Sequence, residues 1–474
     1  MSFGVAEASL AERLARLSSG VQGLDAILGG GFIEGASYII QGKPGAGKTI
    51  LSNQISFCQA ASGRRILYVT LLAETHDRLF QSLSTLSFFD RALLGVSISY
   101  VSVFQILRDE GLGAVVRLIR EETKRRGATL LVFDGLLNAR DRAETTLDVK
   151  TFVAEIQSQA AFVGCTVLFL TSVREDDSCP EHTMVDGVID LADNIAGVRS
   201  YRHIQVRKSR GSAALGGQHL FEINDAGIVI FPRLEAYLGQ PTIEDKVSSS
   251  HAPTGINGLD DIIGGGLPTG SITLLAGPPG SGKTSFGLTF LHRTPPGQAA
   301  LHFGFYETQA RLLAKTAALG MDISAQVPRQ IDIIWNPLAE NLLDKLAYQL
   351  LENVRRRQVK RLFIDGIGGF ERASIHPARM VEFFAALTNE LRALGVTTIM
   401  SWELRQLSGK NAVSPLPEIS GMLDNLIDIQ HLRSPEGLKR VLSLLKFRDF
   451  AYIDKELELL IRSGGVAVTE IYNG

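Results

Sequence analysis

The sequence predicts an α/β fold built as two tandem domains, each a mainly parallel sheet with helices on both faces and antiparallel strands added at one edge. Three observations lead there. The stretch Gly42-Lys43-Pro44-Gly45-Ala46-Gly47-Lys48-Thr49 has the form G-x4-G-K-T, behind the apolar run Tyr38-Ile39-Ile40 and ahead of a helical segment opening at Ile50. The same form returns as Gly277-Pro278-Pro279-Gly280-Ser281-Gly282-Lys283-Thr284, followed by Ser285, with its lysine 235 residues after the first. Apolar runs then alternate with helical patterns in the same order in both halves, which implies parallel strands joined by covering helices.

A strand–loop–helix of this form is a phosphate-binding loop. Its glycines let the backbone curl so that several N–H groups face a polyphosphate, and the helix N-terminus adds partial positive charge. The predicted cradles are Gly42, Pro44, Gly45, Ala46, Gly47, Lys48, Thr49 and Ile50, then Gly277, Pro279, Gly280, Ser281, Gly282, Lys283, Thr284 and Ser285. Lys48 and Lys283 would reach the β- and γ-phosphates, and the Thr49 and Thr284 hydroxyls would ligate Mg2+. The duplication reaches upstream of the loops. Gly20-Val21-Gln22-Gly23-Leu24-Asp25 matches Gly255-Ile256-Asn257-Gly258-Leu259-Asp260, and Gly29-Gly30-Gly31 matches Gly264-Gly265-Gly266. A period this long marks whole domains, since solenoid repeats are far shorter. The expected domains are 1–240 and 241–474, with Ser248-Ser249-Ser250 in the linker between them.

Composition agrees. A chain of 474 residues suggests two or three domains. Hydrophobic residues at 45% and charged residues at 21% describe a globular protein. A net charge of −2 gives no general attraction to nucleic acid or anionic lipid. Cys58, Cys165 and Cys179 lack C-x-x-C spacing, so neither a zinc site nor a disulfide framework is indicated. No signal-peptide pattern opens the chain and no apolar stretch is long enough for a membrane span, so a cytoplasmic protein is expected.

Along the chain, Leu10, Leu14 and Leu17 have the spacing of a short amphipathic helix over 8–17. Strand-like runs follow at 65–72, 129–134 and 166–171, with helices through 78–80, 112–126 and 147–161. The alternating segments 203–208, 220–223 and 227–231 read as antiparallel edge strands. The second half repeats the order at 300–305, 361–365, 397–401 and 441–446.

Asp134 and Asp365 each end an apolar run at the distance from the loop where an acid holding the Mg2+ water shell belongs. Glu74 and Glu307 open a shared Glu-Thr-x-x-Arg-Leu pattern at the end of the strand after the loop helix. A carboxylate there can orient or deprotonate the water that attacks a γ-phosphate. Lys208-Ser209-Arg210 and Lys446-Phe447-Arg448 project two cations from one strand face. Such a pair suits a γ-phosphate reached from a neighbouring subunit, in the manner of an arginine finger.

Taken together these residues resemble the KaiC family, the double RecA-like ATPases of the cyanobacterial clock and their bacterial relatives. The resemblance is carried by Ser19-Gly20-Val21-x-Gly23-Leu24-Asp25, Gly29-Gly30-Gly31, both loops, both strand-end aspartates and both K-x-R pairs. The segment Phe221-Glu222-Ile223-Asn224 through Gly227, Ile228, Ile230, Phe231 and Pro232 also carries it. It implies two tandem RecA-like domains, a homohexamer of two stacked rings, ATP and Mg2+ at subunit interfaces, and slow hydrolysis in the first ring. In clock members it further implies autokinase and autophosphatase activity in the second ring, and a KaiB-like or other signalling partner.

Three departures qualify what carries over. The family has two adjacent glutamates where this chain has Ala73-Glu74 and Tyr306-Glu307. Its Ser-Thr phosphorylation pair falls on Ser420-Gly421, so Ser420 is the candidate phosphorylation site, with Asp186-Gly187 expected at the matching place in the first half. Only 26 residues follow Arg448, so a partner that grips a long C-terminal tail is not expected. Two other readings compete: a DNA-dependent motor of RadA or DnaB type, and an ATP-sensing scaffold that hydrolyses little. Net charge argues against the first, since phosphate contacts favour basic stripes; the basic runs Lys124-Arg125-Arg126 and Arg355-Arg356-Arg357 are expected at helix C-termini. The missing glutamates favour the second.

Overall fold

Tyr38 and Ile40 pack on one face of their strand and Ile39 on the other, and all three are buried. A strand covered on both faces reads as a continuous apolar run, as this one does. The structure is a computed structural model and describes residues 14–71, 76–136, 146–172, 180–244, 249–404, 419–434, 437–448, 456–463 and 465–470. It divides into two units, Met1–Tyr237 and Leu238–Gly474.

In the first unit the strands are β1 (Arg16–Leu17), β2 (Phe32–Ile33), β3 (Ser37–Gln41), β4 (Ile66–Thr70), β5 (Ile98–Ser102), β6 (Leu130–Asp134), β7 (Thr166–Thr171), β8 (Gly187–Ala196), β9 (Arg199–Ser209), β10 (Gln218–Asn224) and β11 (Gly227–Phe231). β1 and β2 form a small antiparallel ribbon. The other nine make one sheet in the order β11-β10-β9-β8-β3-β7-β6-β4-β5. From β8 through β5 every pairing is parallel, and β9, β10 and β11 are added antiparallel at the other edge. Helix Lys48–Ala61 covers one face through Leu51 and Ile55. Helices Phe104–Arg126 and Thr146–Phe162 cover the other through Val115, Ile119, Val153 and Ile156.

The second unit repeats this plan. Its strands are β12 (His251–Ala252), β13 (Leu267–Pro268), β14 (Ile272–Gly277), β15 (Ala299–Gly304), β16 (Ile331–Trp335), β17 (Val359–Asp365), β18 (Thr397–Glu403), β19 (Asn425–Ser434), β20 (Gly437–Phe447), β21 (Glu456–Arg462) and β22 (Gly465–Glu470). The sheet order is β16-β15-β17-β18-β14-β19-β20-β21-β22, parallel up to β19 and antiparallel beyond. The predicted α/β class, with its antiparallel edge strands, therefore holds in both halves. Among the described residues no helix is long and apolar enough to cross a membrane.

The duplicated Gly-x-x-Gly-Leu-Asp segments are clasps. Asp25 accepts from the Ser19 amide at 2.7 Å and the Ser18 hydroxyl at 2.6 Å, and Asp260 accepts from the Thr254 amide at 2.8 Å and hydroxyl at 2.7 Å. Gly23 and Gly258 lie against the backbones of the last strands of their sheets, where a Cβ would stand 2.2 Å from the Ile230 oxygen and 2.8 Å from the Val468 oxygen. Each clasp therefore ties the segment before the loop strand to the far edge of the sheet.

Some boundaries differ from expectation. The helix predicted over 8–17 does not include Arg16–Leu17, which pair with Phe32–Ile33 as a strand; residues 1–13 lie outside the described part. Three leucines fit a helical period, but Leu17 finds its apolar partners through the ribbon instead. The predicted helix at 112–126 is present, and a further helical segment from Phe104 precedes it, the two meeting at a kink where Gly111 has φ 78°. The basic runs do end helices: Arg125 and Arg126 hold Glu122, and Arg355 holds the buried Glu390.

The loop's first residue has no spare volume. A Cβ on Gly42 would stand 2.2 Å from the Leu191 carbonyl oxygen of β8. Gly42→Ala is expected to lower the stability of the first unit by about 1–3 kcal/mol through overpacking, read by thermal unfolding. An unchanged melting temperature would contradict this packing.

Candidate functional site

The first loop runs from the end of β3 into helix Lys48–Ala61, whose N-cap Gly47 has φ 102°. Lys48 Nζ donates to the carbonyl oxygens of Gly42 at 2.7 Å and Lys43 at 3.0 Å, so the ammonium lies across the mouth of the loop. One residue on, the Thr49 hydroxyl donates to Asp134 Oδ2 at 3.3 Å. Asp134 is the last residue of β6, and parallel pairing brings that strand end to the loop's edge of the sheet. Tyr68 of β4 donates to the same carboxylate oxygen at 3.3 Å; Tyr68 in turn meets Ser52 at 2.9 Å and Asn53 at 3.1 Å, and Tyr100 donates to Asn53 at 2.6 Å. Burial pushes the Asp134 carboxyl above the usual range, against the opposing pull of Tyr68, Thr49 and Lys48. Burial lowers Lys48, and Asp134 works against that.

The second loop has the same frame with different supports. Lys283 Nζ donates to Gly277 O and Pro278 O, both at 2.8 Å, and the Thr284 hydroxyl donates to Asp365 Oδ2 at 3.0 Å. The Ser401 hydroxyl donates to Asp365 Oδ1 at 2.8 Å, and His302 Nε2 lies 3.6 Å from Oδ2. Tyr68 pairs with Val132 and His302 with Phe363, each two residues before the strand-end aspartate, so the two rings occupy one position of the repeat. Leu170 faces Asp134 where the second half has Ser401. Burial also acts to raise Asp365, but His302, Ser401 and Thr284 outweigh it and hold the carboxyl below the usual range.

Glu74 and its neighbour Ala73 lie outside the described residues. In the second half Tyr306 is 53% exposed, and its ring lies over the backbone just past Asp365, where a Cβ on Gly366 would meet Tyr306 Cε2 at 2.3 Å. Glu307 forms an ion pair with Lys315, in the last turn of the following helix.

The K-x-R cations sit at the other end of the sheet from their own loop. The Arg210 amide donates to Asp186 O and the Asp186 amide to Ser37 O, which places Arg210 level with the start of β3. Arg448 is level with Ile272, the start of β14, through Asp424 in the same way. Five residues of strand separate each start from Gly42 or Gly277, about 17 Å at the usual rise. Lys208 Nζ donates to His182 O at 2.8 Å and Val185 O at 2.6 Å; Lys446 Nζ donates to Ser420 O at 2.5 Å and Leu423 O at 2.8 Å.

These contacts correct one expected match. The residue equivalent to Ser420 is His182, not Asp186, because Asp186 and Asp424 share one place: each accepts the arginine amide and receives the amide of the loop strand's first residue on Oδ2. The intervening segments differ in length, so sequence spacing alone misaligned them.

The supporting side chains Tyr68, Tyr100, Asn53, His302 and Ser401 were not singled out from the sequence. The available signal was a polar group inside an apolar strand at a fixed distance before the end, as in Tyr68 of Ile66–Thr70 and His302 of Ala299–Gly304.

The opposite carboxyl shifts have a consequence for stability. A carboxyl raised on folding stabilises the protein at low pH and loses that contribution as pH rises through its folded value; a lowered one behaves oppositely, losing its contribution as pH falls. At neutral pH without added nucleotide, Asp134→Asn is expected to keep or raise the melting temperature of the first unit, and Asp365→Asn to lower that of the second. Equal shifts from both substitutions would contradict the assigned environments.

Comparison with known proteins places this geometry in context. The sequence model of the family described as "ATPase: KaiC" matches residues 17–235 and again 252–473. The chain is similar to the circadian clock oscillator protein KaiC of Parathermosynechococcus lividus, 23% identical over 474 residues covering 96% of this chain and 86% of the relative. It is 23% identical over 481 residues to the protein of that name from Synechococcus elongatus, covering 97% and 90%. It is 24% identical over 481 residues to the circadian clock protein KaiC2 of Synechocystis sp., covering 97% and 82%. With both halves matched by one family, on loops and strand ends of the geometry above, the chain belongs to the KaiC family of ATPases as a tandem of two of its domains.

Proposed function

We propose that the protein binds and hydrolyses ATP with Mg2+ at two sites per chain, and that it works as a homohexameric double ring with a timing or signalling output. The observation that carries this reading is the separation of each K-x-R pair from its own loop. Arg210 and Arg448 lie level with the start of the strands whose far ends carry the loops, so neither reaches a triphosphate on the loop of its own unit, which supports service to a neighbouring subunit.

The donor set fits the metal. Thr49 beside Asp134 and Thr284 beside Asp365 supply a hydroxyl and a carboxylate, hard oxygen donors of the kind Mg2+ takes together with waters and phosphate oxygens. Among the described residues no group of three or more His, Cys, Asp or Glu forms a metal cage, which suits an ion shared with its nucleotide. Bound Mg2+ would neutralise charge on the β- and γ-phosphates. Lys48 and Lys283 exchange their loop carbonyls for phosphate oxygens, Glu74 and Glu307 orient the attacking water, and Lys208, Arg210, Lys446 and Arg448 of a neighbour meet the charge developing at the γ-phosphate.

Ser420 is proposed as a phosphate acceptor in the second ring. It is exposed, and its carbonyl accepts from Lys446, so it travels with the cations assigned to the neighbouring site. The scaffold reading keeps support from the ion pair between Glu307 and Lys315, which holds that carboxylate on its own helix.

Light scattering with and without Mg-ATP, followed by incubation with γ-labelled ATP, tests the whole reading. The expected results are a sixfold mass with nucleotide, release of labelled phosphate, and label on wild-type chains that Ser420→Ala removes. Arg210→Ala with Arg448→Ala is expected to keep ATP binding while hydrolysis falls on the order of 10³-fold. A chain that stays monomeric at saturating Mg-ATP would contradict the ring.

A further inference from the structure

Lys283 has a charged neighbour in Glu403, whose matching position in the first half is Ser172. Glu403 is the last residue of β18 and stands in register with Gly277, the last residue of β14 and the first of the loop. The next amide, Leu404 N, donates to Gly277 O at 3.0 Å, the oxygen that also accepts from Lys283. This pairing fixes the backbone of Glu403 at the rim of the loop, and its side chain is exposed there. In the first half Gln41 is in register with Thr171, so the residue that falls beside Gly42 is Ser172, with no carboxylate.

The electrostatics follow the same pattern. Of the carboxylates that act on Lys283, Glu403 comes before Asp365, and it does so again at Tyr306. Among the described residues, the carboxylate that acts on Lys48 is Asp134. Glu403 therefore stands at the rim of the loop that carries Lys283, at the end of the strand beside it. Glu307 is engaged by Lys315.

Resting on the ATPase reading above, we propose that Glu403 is the general base of the second site. A water oxygen attacks the γ-phosphorus of ATP held on the second loop, and its proton passes to the Glu403 carboxylate. The new P–O bond forms as the bond from the γ-phosphorus to the bridging oxygen breaks, and that electron pair leaves on ADP. Glu307 orients the water from the other side, and Tyr306 closes the site without contributing charge. The two halves would then hydrolyse ATP with carboxylates from different parts of the chain: Glu74 in the first, Glu403 at the end of β18 in the second.

The test uses the full chain carrying Glu74→Gln to quiet the first site, with Lys283→Ala added in a parallel protein to set the floor. Second-site turnover is the hydrolysis that Lys283→Ala removes. Binding of a non-hydrolysable ATP analogue with Mg2+ is measured by calorimetry. Glu403→Gln is expected to lower second-site turnover about 100-fold or more. The analogue should bind as tightly or several-fold more tightly, because a negative charge beside Lys283 is gone. Glu403→Asp should restore part of the rate. Turnover within a few-fold of the parent would overturn the proposal, and so would a loss of analogue binding that parallels the loss of rate. A parent with no second-site turnover, while the wild-type chain still hydrolyses ATP, would overturn the role of Glu403 and leave the ATPase reading standing. A wild-type chain that binds the analogue but never hydrolyses ATP would overturn both.

Discussion

Thr49 reaches Asp134, and Thr284 reaches Asp365, because the loop strand and the strand that carries the acid run in the same direction and end at the same edge of their sheet. That hydroxyl–carboxylate contact joins the first turn of the loop helix to a strand two places away. The covering helices fix the strand order, and the strand order fixes the contact. The strand that carries K-x-R runs the other way, so the same sheet that gathers the loop and the acid at one edge delivers the cations to the opposite edge. In the function we propose, a site with its phosphate grip on one edge and its charge-neutralising residues on the other is completed by a second copy of the chain.

The halves keep this frame and differ in what stands behind it. Asp134 is backed by a buried chain of neutral donors, Tyr68, Ser52, Asn53 and Tyr100, and burial keeps it inclined to hold a proton. Asp365 is backed by Ser401 and faces His302, a side chain only 1% exposed, and is held ionised more firmly. The same backbone position is thus a tyrosine in one half and a histidine in the other. Duplication preserved the geometry that binds a nucleotide while the electrostatics of the acid diverged, and an exposed carboxylate at the end of β18 extends that divergence to the rim of the second loop.

Much of this was legible in the sequence because the loops, the strand-end aspartates and the K-x-R pairs are local patterns repeated at nearly constant spacing. Glycines in the loops read correctly for the same reason: Gly45 and Gly280 adopt φ values of 83° and 73° that other residues resist. The long hairpin β8–β9 was harder. Asp190, Asp193 and Asn194 break its apolar run, so only its second strand stood out. Side chains that act across the sheet, such as Ser401 on Asp365, depend on register between strands far apart in the chain, which no local pattern carries. The misplacement of Ser420 against Asp186 has the same origin, since segments of unequal length precede a strand whose register is set by hydrogen bonds to the loop strand.

The central claim, that each site is finished by the cations of a neighbour, is tested most directly by mixing two inactive chains. Both carry Asp365→Asn to silence the second site; one adds Arg210→Ala and the other Asp134→Asn. If Arg210 acts across the interface, each protein alone is inactive, and co-assembled rings recover hydrolysis wherever an intact Asp134 site faces an intact Arg210. A mixture that stays inactive after verified co-assembly, or an Arg210→Ala chain that hydrolyses ATP unaided, would contradict it.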